Sequence, residues 1–188
     1  MRIITGIAKG IKLKTLEGDA TRPTSERVKE AVFSMIQFDI ENRDVLDLFA
    51  GSGQLGLEAL SRGAKSATFV DRAADAVKII NENISKTKME ASCTVQQSDF
   101  LSFLSRVRQK KYDIVFLDPP YALKMYKPAL QAMLDSDVLK PTSLIICESG
   151  DEGIFEGDMY LASCFEKVKQ SKYSKTFITV LKPVGEGK

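Results

Sequence analysis

The sequence predicts an α/β fold: a doubly wound, mostly parallel sheet of seven strands, preceded by a β-hairpin extension. Three observations carry this. Short β-branched or aromatic runs alternate with segments whose apolar residues recur at helical spacing. One early run passes straight into a glycine loop, Gly51-Ser52-Gly53-Gln54-Leu55-Gly56. A later run stops dead at Asp118-Pro119-Pro120-Tyr121. Alternation of this kind buries a parallel sheet between two helix layers and gathers ligands at the carboxyl ends of its strands.

The elements follow in order. Residues 2–5 and 11–16 suit a short hairpin turning through Gly6 and Gly10, and a linker runs on through Arg22-Pro23. Thr24 or Ser25 starts a helix with Val28, Ala31, Val32, Met35 and Ile36 on one face. Strands are expected at 45–49, 67–70, 93–97, 114–117 and 144–147, separated by helices at 54–62, 73–85, 100–107 and 125–134. Gly63 stops the first of these helices, and Ala76, Val77, Ile80 and Ile84 turn the second inward. Residues 165–170 and 176–181 suit a closing antiparallel pair. The reading is a single domain over 1–188, with 1–23 the basic hairpin and linker and 24–188 the core.

Composition narrows the chemistry. A chain of 188 residues with 44% hydrophobic content suits one sizeable core. It contains no histidine, which removes Ser-His-Asp and Cys-His triads, His-ligated metals and imidazole shuttles. Cys93, Cys147 and Cys164 are widely spaced and read as reduced core residues, not as a disulfide frame or a zinc site; no metal is expected. Nothing resembles a signal peptide or a membrane span, so the expected setting is cytoplasmic; a monomer is expected.

Two sites remain. Neither Pro119 nor Pro120 can donate to a sheet ladder, so the strand before them must end there. Pro120 biases Pro119 toward an extended conformation, which brings the Pro119 carbonyl and the Asp118 carboxylate to one small space beside the Tyr121 ring. Two acceptors beside a flat ring suit a planar base with an exocyclic amino group. Asp118, Pro119, Pro120 and Tyr121 are therefore the candidate catalytic residues.

The glycine loop formally matches a dinucleotide fingerprint, with Asp71 some twenty residues on to meet ribose hydroxyls. Asp47 argues for a different ligand, because a carboxylate at the door of the loop opposes a pyrophosphate and welcomes an ammonium. S-adenosylmethionine has the ammonium, the ribose and no phosphate. Candidate cofactor residues are Asp47, Phe49, Gly51, Gly53 and Asp71, with Asp99 and Phe100 toward the adenine. The donor would then lie beside the first strand and face the base site beside the fourth, and S-adenosylhomocysteine would be the product. Glu148, ending the fifth strand, reads as a helix cap or surface carboxylate, or else as part of the base pocket.

Net charge is only +2, but residues 1–16 carry four basic side chains and no acid, and residues 164–188 six lysines against two acids. Set beside a base-handling site, this distribution points to a polyanion, RNA or DNA. Arg2, Lys9, Lys12, Lys14 and Arg22 are the candidate phosphate contacts; Arg22-Pro23-Thr24 either does this or covers the cofactor.

Six segments resemble the RsmD family of bacterial 16S ribosomal RNA guanine-N2 methyltransferases: Arg2-Ile3-Ile4, Lys9-Gly10, Arg22-Pro23-Thr24, Leu46 to Gly53, Gly56-Leu57-Glu58-Ala59-Leu60-Ser61-Arg62-Gly63-Ala64, and Asp118 to Tyr121. The resemblance spans nearly the whole chain in the same motif order. It implies a Rossmann-like class I methyltransferase sheet, S-adenosylmethionine as donor, and 16S RNA in an assembled or assembling 30S subunit as substrate. Thr5 stands where the family usually has glycine, Ile11 where it has arginine, and Asp71 where it has glutamate. Three other readings use the same residues: an amino-methyltransferase acting on adenine N6, on DNA or on a protein; a nicotinamide-dependent oxidoreductase; and a non-catalytic RNA-binding factor.

Overall fold

The computed structural model describes residues 1–16, 26–119, 125–155 and 157–185. Helix α1 (Glu26–Met35) leads into β1 (Asp44–Asp47), α2 (Gln54–Ser61), β2 (Ser66–Asp71), α3 (Ala74–Thr87) and β3 (Cys93–Gln97). Then come α4 (Phe100–Arg106), β4 (Tyr112–Leu117), α5 (Tyr126–Asp135) and β5 (Leu139–Ser149). A short α6 (Met159–Cys164) delivers the chain to β6 (Phe165–Tyr173) and β7 (Thr176–Pro183). The seven strands form one sheet in the order β3-β2-β1-β4-β5-β7-β6. Strands β3 through β5 are parallel, while β7 runs antiparallel between β5 and β6. Strand order reverses at β1 and β4, the crevice where such sheets bind ligands.

Period-two alternation sorts the strand residues between two cores. Val45, Ile114, Phe116, Leu144 and Ile146 join Val32 and Phe33 of α1, Leu57 of α2 and Ile80 of α3. Leu46, Val115, Leu117, Ile145 and Cys147 join Phe100 and Leu104 of α4, Leu130 and Met133 of α5 and Leu161 of α6. At the far end of the sheet, the Asp113 carboxylate accepts from the Asp44 N–H (2.9 Å) and the Lys140 ammonium (2.7 Å), locking the starts of β1 and β4 together.

Three features differ from the sequence expectation. Strand β5 begins at Leu139 instead of 144, because its pairing with β4 shifts register between Tyr112 and Ile114 and loops out the segment holding Pro141. Helix α6 was not expected; it has one buried residue, Leu161, and an Asp158 cap accepting from the Leu161 N–H (3.0 Å). Val77 is half-buried instead of inward, and Asn83 and Thr87 complete the buried stripe of α3.

The hairpin is present as a single antiparallel bridge, Arg2 to Lys12, flanked by Ile3 N–H to Ile11 carbonyl (3.0 Å) and Leu13 N–H to Met1 carbonyl (3.0 Å). Ile3, Ala8 and Leu13 bury it in the first core, and a buried polar cluster fixes its turn. Glu58 of α2, fully buried, accepts from the Ile4 N–H (2.8 Å) and Thr5 N–H (3.0 Å). Its charge is met by Lys29 of α1 (3.2 Å, also fully buried) and Arg62 (2.9 Å), and Lys29 also donates to the Arg2 carbonyl (2.6 Å). A Cβ on Gly6 would fall 1.6 Å from the Ser61 carbonyl oxygen, so the chain passes there only as glycine.

Candidate active site

Asp47 ends β1, and after it the backbone threads between the neighbouring strands. The Leu48 N–H still bonds the Phe116 carbonyl of β4 (3.2 Å), whereas the Ala50 N–H bonds the Val70 carbonyl of β2 (3.0 Å). Gly51 and Gly53 then take φ of 54° and 76°, the left-handed region that glycine enters freely. A Cβ on Gly51 would meet nothing within 4 Å, so the loop presents an open backbone there. The third glycine serves packing instead. A Cβ on Gly56 would lie 2.3 Å from the Phe69 ring, so that glycine lets α2 sit on β2.

Two carboxylates hold the loop. Asp71, at the end of β2, accepts from the Gly51 N–H through Oδ2 and from the Ala73 N–H through Oδ1, both at 2.9 Å. Asp47 is 2% exposed and accepts from the Gly56 N–H in the first turn of α2 (3.1 Å). Burial pushes its carboxyl up to about 7, the bond from Gly56 opposes this, and the negative charge of Asp71 adds to it. Next to the loop, Gln54 is buried and its Oε1 finds no donor among the described residues. A buried carboxylate with no cation beside it among those residues, an orphaned acceptor and an open glycine backbone together fit a ligand bearing an ammonium group.

The Asp118-Pro119 corner adjoins this loop. Asp47 is level with Phe116 in the parallel pairing of β1 with β4, so Asp118 and Pro119 leave the sheet beside the strand that opens the glycine loop. Asp118 is half-buried and Pro119 buried. The β4–β5 register places Glu148 level with Asp118, one residue past the Leu117–Cys147 pair. Glu148 is not a surface carboxylate: it is 7% exposed, and its carbonyl accepts the hydroxyl of Tyr126, the first residue of α5. Pro120, Tyr121 and Arg22-Pro23-Thr24 lie outside the described residues.

The remaining candidates divide. Phe100 is buried in the second core with its ring 5.1 Å from that of Phe49, so these two form one aromatic wall beyond the loop. Asp99 caps α4 with Oδ1, accepting from the N–H groups of Leu101 (3.0 Å) and Ser102 (3.3 Å). Arg2 pairs with Glu26 (3.3 Å) and Lys14 with Glu82, whereas no carboxylate among the described residues pairs with the exposed Lys9 or Lys12. Lys9 stands apart from the others. Its neighbours Ile7 and Ala8 bond Ser61, at the end of α2 away from the glycine loop. The two basic ends of the chain border α1, the hairpin at its first turns and Lys169 at Met35. The Glu58–Lys29–Arg62 cluster and Asn83 were not anticipated from the sequence as structural links. Among the described residues no group of three or more Cys, Asp or Glu is placed to hold a metal ion, and no helix is long and apolar enough to cross a membrane.

Sheet order, glycine loop and proline-terminated β4 are those of a class I methyltransferase. The solved structure of Escherichia coli yhhF superposes with a TM-score of 0.84 over 99% of each chain, at 28% identity. The family model described as Conserved hypothetical protein 95 matches residues 1–182. Two proteins named Ribosomal RNA small subunit methyltransferase D are also similar. That of Haemophilus influenzae is 38% identical over 152 residues, 79% of this chain and 78% of that one. That of Escherichia coli K12 is 35% identical over 149 residues, 79% and 74% of the two chains. The chain belongs to this family of methyltransferases, the RsmD family.

Proposed function

We propose that this chain transfers a methyl group from S-adenosylmethionine to the exocyclic N2 of a guanine in 16S ribosomal RNA of the small ribosomal subunit. The observation that carries the reading is the adjacency of β1 and β4, which sets the glycine loop and Asp118-Pro119 side by side at the carboxyl end of the sheet. The names of the relatives support the RNA class of substrate.

When bound, S-adenosylmethionine supplies a methyl group already activated by its sulfonium. The chain contributes placement and electrostatics. Asp47 would hold the ammonium, Asp71 the ribose, and the open backbone at Gly51 would allow close approach. The lone pair of an aryl amine is delocalised into its ring, which makes the nitrogen a poor nucleophile. Acceptance of its N–H bonds by the Asp118 carboxylate and the Pro119 carbonyl localises that pair toward the incoming carbon. The nitrogen gains a carbon and gives up a proton, for which Asp118 is the acceptor. Positioning supplies most of the remaining acceleration. Guanine suits Asp118 because N1–H and N2–H stand side by side as two donors, whereas adenine turns a lone pair at N1 toward the carboxylate.

The deciding experiment offers labelled cofactor with three substrates: 30S particles lacking the modification, naked 16S RNA and duplex DNA. The particle should be labelled best, and nucleoside digestion should yield N2-methylguanosine. N6-methyladenosine in its place would refute the guanine assignment, and preferential labelling of DNA the substrate class.

A further inference from the structure

The hairpin and the glycine loop meet on one side chain. Asn83 of α3 is fully buried, and its amide is shared between two segments far apart in sequence. Its Oδ1 accepts from the Lys14 N–H (2.8 Å), and its Nδ2 donates to the Lys14 carbonyl (2.9 Å), as a neighbouring strand would. The same Nδ2 also donates to the Ser52 carbonyl (2.9 Å), between the two left-handed glycines of the loop. That carbonyl belongs to the peptide unit whose N–H, on Gly53, donates to Ala50 (2.6 Å). One local bond and one bond from Asn83 thus fix the plane of the 52–53 peptide. Outside the helix, the Lys14 ammonium pairs with Glu82, so backbone and side chain at this residue are both tied to α3.

Helix packing does not require an amide here. Ala76, Ile80 and Ile84 hold α3 against the core, and a polar group on that buried stripe costs free energy unless its hydrogen bonds are made. Asn83 is satisfied only while both segments are seated. If residue 14 lifts away, the amide loses two of its three bonds. If the loop shifts, it loses the third.

We propose that Asn83 is a positioning residue that couples seating of the basic N-terminal hairpin to occupancy of the cofactor loop. The inference rests on the reading of that loop as the S-adenosylmethionine site. A ligand that fixes the 52–53 peptide strengthens the grip of Asn83 on Lys14, and the Arg2–Lys12 pairing that precedes it. By reciprocity, an RNA phosphate group that seats the hairpin raises affinity for the cofactor by the same factor.

The test is hydrogen–deuterium exchange of the full chain with and without saturating S-adenosylhomocysteine, read separately over residues 50–53 and over 2–14. In the wild type the ligand should slow exchange in both, with the Lys14 amide slowed about fivefold or more, the low end of measured site couplings. In Asn83→Asp, which keeps the size but loses both donor bonds, residues 50–53 should remain protected and the response at 2–14 should vanish. Asn83→Ser serves as a second variant, reaching neither segment. Protection confined to 50–53 in the wild type, or an undiminished hairpin response in both variants, would overturn the coupling. Absence of protection anywhere in the wild type would overturn the cofactor assignment, and the coupling with it.

Discussion

Replacing Asp47 by asparagine should stabilise the ligand-free protein by an amount that grows with pH. Burial raises the Asp47 carboxyl from 3.8 to about 7. The folded chain therefore keeps a proton that the unfolded chain has released over the interval between those values. Wherever the unfolded state binds fewer protons, stability falls as pH rises, here by about 1.4 kcal/mol per pH unit for one proton. The asparagine side chain has the same shape, can accept from the Gly56 N–H, and does not titrate. Whatever the new amide costs at its site is independent of pH and cancels when the variant is compared with itself across conditions. The variant-minus-wild-type difference in unfolding free energy should thus rise by about 2–3 kcal/mol between pH 5 and pH 8, nearly all of it below pH 7.5. Urea denaturation at half-unit steps measures it. A difference flat to within about 0.5 kcal/mol over that range would refute a buried, cation-free carboxylate. Ligand binding should show the opposite preference. An ammonium beside Asp47 favours the ionised form, so S-adenosylhomocysteine should bind the wild type more tightly at pH 8 than at pH 6, and the variant should lose both the affinity and its pH dependence.

Three further outcomes are expected. Asp118→Ala should suppress methyl transfer by orders of magnitude while leaving S-adenosylhomocysteine affinity near wild type by calorimetry; unchanged turnover would displace Asp118 from the chemistry. Glu58→Leu should cost about 3–5 kcal/mol in urea denaturation, because burial already pushes the Lys29 ammonium below its ordinary range and Glu58 is its counter-charge. Adding Lys29→Met to that variant should recover part of the loss. Gly56→Ala should destabilise by about 1–3 kcal/mol, since the Phe69 ring it would strike is itself fully buried.

The parts of this fold legible in the sequence are those written in local rules. Proline cannot extend a ladder, so the end of β4 could be read from Pro119-Pro120. Strand–helix alternation implied parallel pairing, which made β1 and β4 neighbours and set the two sites together. What stayed hidden depends on partners distant in the chain. Lys29 reads as a solvated helix residue until Glu58 is known to lie across from it. The sequence leaves Glu148 open between a cap or surface carboxylate and the base pocket, because nothing local says that β5 is flanked on both edges, by β4 and β7. Asn83 did carry a signal. It falls seven residues after Ala76, squarely on the inward stripe of α3, where a polar residue demands a partner. Helix α6, six residues with one buried side chain, gives periodicity nothing to detect.

The polar residues of the run Gly56-Leu57-Glu58-Ala59-Leu60-Ser61-Arg62-Gly63 have a structural reason. All eight residues of α2 are buried, yet the helix carries Glu58 and Ser61, both pointed at the hairpin. One end of α2 begins at the glycine loop, and the other anchors the hairpin turn near Lys9. The helix therefore spans about 12 Å between the loop and that turn. Replacing Glu58 and Ser61 by apolar residues would remove the bonds that Ile4, Thr5 and Ala8 make to α2. Two polar side chains on a helix otherwise committed to the core hold the hairpin in a fixed place relative to the glycine loop. On the proposed function, a basic hairpin held in this way would set how far the target base stands from the phosphates it grips. Shape, more than base sequence, is then what such an enzyme reads.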